Sequence, residues 1–429
     1  MSLLRAGAIY GVANALSAAV PFLLLPVLTR ALGPAEYGLV VGFFLLVNYA
    51  SALAGLSVHS AISVGWFRRG PGDEFPALVG SALLVALVTT LACAALMTIV
   101  GAIWHETVGL PTWLWPAAAL LAGTTAIAAI RPTLWQSQVK PMRSATFQVA
   151  MAAGNLGLSL VAVLALAAGA AGRIGGALVA TVVAALASVA LLHAAGDARW
   201  QASPSAVRSL LRFGLPLAPH VLAGSLLATA DRFTVSARLG ADALGIYGAA
   251  AQLGMVMNML GDTLVKVLSP WMYAQMAARF GRARLRIVGA TYVLIPVWIA
   301  IALLLWAAML VVGPALLGPR FQAAVGLSIF FLLGGAMSSI YLNIAGLFFF
   351  TSKNEWLSIA TICSATIAVV LAIVLTKRFG AAGAAAAYLG AQTVQLALSW
   401  LLSTRVQPMP WHRPWLSVRA LARTRTASP

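Results

Sequence analysis

Twelve long apolar stretches run through this chain, and the segments between them are alternately rich and poor in positive charge. No other feature limits the possible folds as severely. A helix needs roughly 20 predominantly apolar residues to cross the hydrocarbon core of a bilayer. The stretches lie at about 6–30, 38–64, 77–103, 112–134, 145–169, 174–195, 214–238, 244–268, 285–312, 322–350, 355–376 and 382–403. Barrel strands would be about 10 residues long and strictly alternating, which these runs are not. Residues are 62% hydrophobic and 8% charged, against about 25% charged in a soluble domain. The sequence therefore predicts an all-α polytopic membrane protein with twelve transmembrane helices, since a helix satisfies its own backbone in lipid.

Counted from an inside N-terminus, 18 of the 27 Lys and Arg fall in inner segments, among them Arg5, Arg68, Arg69, Arg282, Arg284, Arg286, Arg405, Arg413 and Arg419. Outer loops hold Arg30, Arg173, Arg238, Arg320, Lys377 and Arg378. The positive-inside rule then predicts both termini in the cytoplasm, with the chain in a bacterial cytoplasmic (inner) membrane. The net charge of +18 is carried mostly at helix ends, as topology determinants are, so no nucleic-acid partner is expected. A first apolar run of about 25 residues exceeds a signal peptide's apolar core of roughly 7–15 and reads as a retained helix. Cys93 and Cys363 sit in spans without metal-ligand spacing, and no nucleotide-binding motif is present. Neither a metal, a cofactor nor catalysis is expected from these residues.

The longest polar connection, 196–213, divides the chain into a six-helix bundle at 1–195 and another at 214–405, followed by a basic tail at 406–429. The halves repeat at an offset of 207 residues: Arg5/Gly7 matches Arg212/Gly214, Leu32/Gly33/Gly38 matches Leu239/Gly240/Gly245, and Gly176/Ala177 matches Gly383/Ala384. An even number of spans per half gives parallel repeats, related by a pseudo-twofold axis along the membrane normal, with substrate expected between them and alternating access by rocking. The Leu-Gly-x4-Gly glycines are expected to permit tight outer turns. Pro21 and Pro26, and Pro216 and Pro219 in the equivalent helix, should kink or unwind their spans. The tail, with Trp411, Trp415 and its arginines, suits an anionic leaflet or disorder.

Leu28-Thr29-Arg30-Ala31-Leu32-Gly33-Pro34-Ala35-Glu36-Tyr37-Gly38 resembles the signature of the polysaccharide transport family, the Wzx-type O-antigen and exopolysaccharide flippases. Ala230-Asp231-Arg232, Arg238-Leu239-Gly240 and Leu244-Gly245-Ile246-Tyr247 form a similar second-half counterpart. That family lies within the multidrug, oligosaccharidyl-lipid and polysaccharide exporter superfamily. The resemblance implies a non-enzymatic flippase that carries polyprenyl-diphosphate-linked oligosaccharides to the periplasmic leaflet for surface polysaccharide synthesis. It also implies membrane lipids as partners, with a polysaccharide polymerase and glycosyltransferases as neighbours in the pathway.

Charges within a bilayer cost about 2.5–3.5 kcal/mol each on insertion scales, so those retained face a cavity or a partner. Arg232 is the first candidate for headgroup contact, because guanidinium binds phosphate through two parallel donors. Its neighbour Asp231 completes either a local ion-pair network or a coupling site. Asp262 and Lys266, four apart in span 8, share a helical face and either neutralise each other or leave Lys266 for substrate. The 207-residue offset maps Lys266 onto His59, which makes the two candidate partners at the cytoplasmic mouth. Arg131 and His220, near the cytoplasmic ends of spans 4 and 7, complete the substrate-binding candidates, with a snorkelling anchor as the alternative for Arg131. Two other functions remain open: a cation-coupled multidrug exporter of the same superfamily, and a membrane glycan polymerase or glycosyltransferase. The first span carries no acidic residue for a cationic drug, and the outer loops are short for an enzyme.

Overall fold

The computed structural model describes residues 3–70, 74–277, 281–351 and 353–422. Among the described residues every regular element is helical. The order is α1 (Leu3–Ala31), α2 (Pro34–Ala50), α3 (Val58–Arg68), α4 (Phe75–Val108), α5 (Leu114–Ala128), α6 (Ile130–Ser137), α7 (Pro141–Leu160), α8 (Gly169–Ala194), α9 (Pro204–Ala277), α10 (Gly281–Leu316), α11 (Ala323–Thr351), α12 (Asn354–Val406) and α13 (Pro414–Ala422). Nine of the described helical segments are long and apolar enough to cross a membrane.

The expected twelve crossings emerge once two concealed turns are counted. Gly240 (φ 81°) interrupts α9 and Gly380 (φ 59°) interrupts α12. Glycine tolerates this left-handed region because it has no Cβ to strike the following carbonyl. Each long helix is thus two spans, α2 with α3 is another, and α5 with α6 forms a single crossing. The connection expected at 196–213 is helical from Pro204 onward, where proline suits the first turn.

The helix break falls where no proline stands. The chain stays helical through Pro21, Pro26, Pro216 and Pro219. Instead the second span unwinds between α2 and α3, with Gly55, Leu56 and Ser57 all at positive φ (78°, 40° and 53°). Ser51 donates its hydroxyl to the Asn48 carbonyl at 2.6 Å, a local bond that competes with helix continuation. Thr89 Oγ1 on α4 accepts the Gly55 N–H at 3.1 Å, replacing one lost helical partner. A Cβ on Gly214 would lie 2.5 Å from the Leu56 carbonyl, so the start of α9 closes tightly over the break. Irregular backbone at membrane depth survives only where protein or a polar cavity covers it.

The chain divides into two compact units, Met1–Ser225 with Leu239–Gly245, and Leu226–Arg238 with Ile246–Pro429. In the first, Val58, Ile62, Val79, Leu134, Leu192 and Leu210 form one buried cluster joining α3, α4, α6, α8 and α9. In the second, Met257, Val288, Leu332, Ile340 and Phe348 centre a cluster built from α9, α10 and α11. Lipid supplies no hydrophobic drive between helices, so close approach at small residues matters most. Gly254 fits against Phe331, and a Cβ there would strike it. Exposed Leu84, Leu87, Val88 and Leu91 along α4 make that side chain set a lipid-facing stripe.

The Leu-Gly-x4-Gly glycines differ in role from the expected turns. Gly33 is extended (φ −73°, ψ 165°), and only its counterpart Gly240 is left-handed. Gly38 and Gly245 are instead contact residues. A Cβ on Gly38 would strike the Ala241 carbonyl and lie 3.1 Å from Gly245 N, while one on Gly245 would strike the Pro34 carbonyl and lie 3.0 Å from Gly38 N. The last turns of each half follow a different register: left-handed Gly169 and Gly380 are 211 residues apart, not 207. Overpacking typically costs about 1–3 kcal/mol. Gly38→Ala and Gly245→Ala should each lower the melting temperature of the purified protein by several degrees. A melt unchanged in both would remove the close contact from the fold's requirements.

Candidate functional site

Asp231 and Arg232 occupy adjacent positions before the Gly240 turn of α9, and their environments separate them. Asp231 is only 4% exposed, and its carboxylate accepts the Tyr247 hydroxyl at 2.6 Å. Tyr247, fully buried, packs edge-on to Phe331 with ring centroids 5.1 Å apart, and Phe331 lies 5.1 Å from the Tyr388 ring. Asn258 hydrogen-bonds the Tyr388 hydroxyl. Gly334 leaves room for that ring, which a Cβ would meet. The Arg232 guanidinium interacts electrostatically with Asp231, Tyr247 and Tyr388 while remaining partly exposed. The result is a polar cluster walled by aromatic rings, with a carboxylate fixed inside and a guanidinium at its edge.

Asp262 and Lys266 share a helical face of α9, yet they form no ion pair among the described residues, and both are exposed. Lys266 therefore keeps its charge free for another anion. His59 stands in the first turn of α3, immediately after the unwound segment. Its Nδ1 is buried and has no hydrogen-bond partner. The His220 side chain lies outside the described residues, although its backbone belongs to α9.

Arg131 is engaged differently. It is 4% exposed and pairs with Asp197, which follows α8, while its guanidinium carbon lies 4.5 Å from the Trp135 ring centroid. Its backbone N–H donates to Ser188 Oγ at 3.2 Å. That arrangement ties α6 to α8 and to the segment leading into α9, rather than leaving a solvent-facing ligand. Loss of one partner of a buried pair costs about 3–5 kcal/mol because the survivor is uncompensated, and the lower end applies here since the Asp197 side chain is 23% exposed.

Arg173, expected in an outer loop, is buried in α8 instead. It donates to Asn155 Oδ1 and Ser159 Oγ, each at 2.9 Å, and lies 4.8 Å from the Phe44 ring centroid. No periodicity marks this cluster, although an arginine between apolar runs beside Gly172, Gly175 and Gly176 is a signal that helices pack closely there. The span residues Asn48 and Asn343 are turned to the protein: Asn48 Oδ1 accepts Ser225 Oγ at 3.0 Å, and Asn343 donates to the Ser339 carbonyl at 3.0 Å.

Near the ends of α3 and α4, a cleft of about 540 Å³ is lined by Arg68, Arg69, Glu74, Ser203, Ser205 and Ser209, among others. No group of three or more metal-ligating side chains occurs among the described residues.

Among the described residues, twelve helical crossings with a few charges inside them define a multi-pass membrane protein. The fold is similar to the solved lipid II flippase MurJ in an inward closed conformation, with a TM-score of 0.75 at 12% identity, covering 98% of this chain and 93% of that one. An inward-facing multidrug resistance MATE family transporter of the MOP superfamily gives 0.61 at 16% identity, covering 97% and 96%. The family described as "Polysaccharide biosynthesis protein" matches residues 3–276, and the chain belongs to that family. "Lsg locus putative protein 1" of Haemophilus influenzae is 28% identical over 174 residues, 40% of this chain. The matched region spans less than half of that relative, 43% of its length.

Asp197→Ala should destabilise the protein by about 3 kcal/mol by leaving Arg131 buried and unpaired. Restoring stability with Arg131→Met in the same chain, measured by thermal melting in detergent, would confirm the coupling. Equal melts for wild type and Asp197→Ala would discard it.

Proposed function

We propose that the protein is a flippase moving polyprenyl-diphosphate-linked oligosaccharide repeat units from the cytoplasmic to the periplasmic leaflet by alternating access. Both termini are then cytoplasmic and the membrane is the bacterial inner membrane. The observation that carries this reading is the contrast among intramembrane cations. Arg131 is neutralised by Asp197, whereas Lys266 has no carboxylate partner and Arg232 stays partly exposed at the edge of its cluster.

A doubly charged diphosphate needs cationic donors along its path. Arg232 offers a planar fork for two phosphate oxygens, and Lys266 a point charge with three donors. His59, with one ring nitrogen unpartnered, can supply a further donor or carry a proton. Membership of a polysaccharide biosynthesis family supports a saccharide cargo, and likeness to a protein named a lipid II flippase supports a lipid-linked one. Asp231 is the coupling candidate, since a buried carboxylate that gains or loses a proton or cation changes the charge beside Arg232. The multidrug alternative rests on that same carboxylate, which here is already bonded to Tyr247.

Deleting the gene should make lipid-linked oligosaccharide accumulate in the cytoplasmic leaflet. Complementation with Arg232→Ala or with the Lys266→Ala/His59→Ala double variant should restore less than about one-tenth of surface polysaccharide, and Arg232→Lys an intermediate level, at equal protein abundance. Full rescue by both would exclude these residues from the cargo path. Glycan ligation by the purified protein would instead favour an enzyme.

A further inference from the structure

The end of the chain bears on a different ligand from the proposed cargo. Helix α13 packs on α10 through a narrow seam. Ser417 is fully buried there, and a Cβ on Gly289 would strike its carbonyl. Upstream, the Tyr292 hydroxyl donates to the Trp411 carbonyl at 2.7 Å, and Arg284 donates to the Pro408 carbonyl at 3.3 Å. Trp400 and Trp411 pack with ring centroids 4.8 Å apart. These bonds hold the segment after the last span against the second unit.

The other side of α13 is amphipathic in a particular way. Trp415 is 68% exposed and Leu416 52%, while Arg419 lies 5.3 Å above the Trp415 ring and Arg413 is exposed. A large apolar ring with a cation against it, next to the end of a membrane span, has the chemistry of the bilayer interface. Beside α13 a cleft of about 380 Å³ is walled by Leu268, Trp271, Val293, Leu294 and Leu421, with Arg286 as its charged member. The surrounding sequence is uniformly positive: no acidic residue occurs between Asp262 and Glu355, and none follows Glu355.

We infer that this corner is a binding site for an anionic phospholipid of the adjoining leaflet. Its phosphate would meet Arg286, its acyl chains the leucine and valine walls of the cleft, and Trp415 and Leu416 would enter the interface beside it. Arg413 and Arg419 add surface attraction, worth roughly five-fold in binding for each basic residue near an anionic bilayer. Charge complementarity selects this occupant over a zwitterionic lipid, and the apolar walls select a lipid over free phosphate. Basic pockets between membrane helices recognise anionic headgroups in the same manner.

The full-length protein, purified in neutral detergent, can be exchanged with fluorescent phosphatidylglycerol or phosphatidylcholine and the retained lipid counted. Phosphatidylglycerol should be retained at least five-fold better. Arg286→Gln should remove most of that preference, and the exposed double variant Arg413→Gln/Arg419→Gln, which disturbs no core contact, should weaken it several-fold. Equal retention of the two lipids would overturn the inference, as would an unchanged preference in both variants. Displacement of phosphatidylglycerol by a soluble isoprenyl diphosphate at equal concentration would overturn it too, assigning the cleft to cargo. None of these residues belongs to the proposed transport path, so failure here leaves the flippase reading to its own genetic test.

Discussion

Hydrocarbon offers no hydrogen bonds, and that single deficiency dictates most of this molecule. Every peptide group at membrane depth must find its partner within the protein, which a helix does locally and almost nothing else does. Among the described residues the helices together make twelve crossings, some joined so tightly that two spans run together through a single left-handed glycine. Where the rule is relaxed, at 51–57, the loss is offset locally: Thr89 takes up the Gly55 N–H and the start of α9 presses over the Leu56 carbonyl.

That broken span places His59 at the beginning of a new helix rather than midway along an old one. A helix start carries unsatisfied N–H groups and a partial positive charge. Ser57, at the cap position, makes no side-chain cap bond. Polarity at this break thereby comes from backbone and neutral side chains, apart from the buried Arg131 and Arg173 elsewhere in the first unit. The second unit follows a different plan, with a buried carboxylate held by a tyrosine and a guanidinium kept at the margin. Two halves that share a sequence register have diverged in the chemistry they present.

The set of crossings is legible in the sequence because it depends on sums: long apolar runs survive errors of several residues at any boundary. The family signature is legible because its second glycine, at 38 and 245, sits where a Cβ would strike backbone. Individual partnerships are harder to read. Helical spacing suggests a bond between Asp262 and Lys266, yet two long exposed side chains gain little by holding one geometry, and they stay apart. Arg131 pairs with Asp197, 66 residues away, which no local pattern announces. The unwound segment was equally hidden, because prolines attract attention while a Gly-Leu-Ser sequence held by tertiary contacts does not.

The reciprocal fit of Gly38 and Gly245 carries a consequence for substitution. Residue 38 meets the carbonyl of residue 241, and residue 245 meets that of residue 34, the same pair of positions in the 207-residue register. Each glycine also backs the other's backbone nitrogen, so a side chain at either position would open both contacts at once.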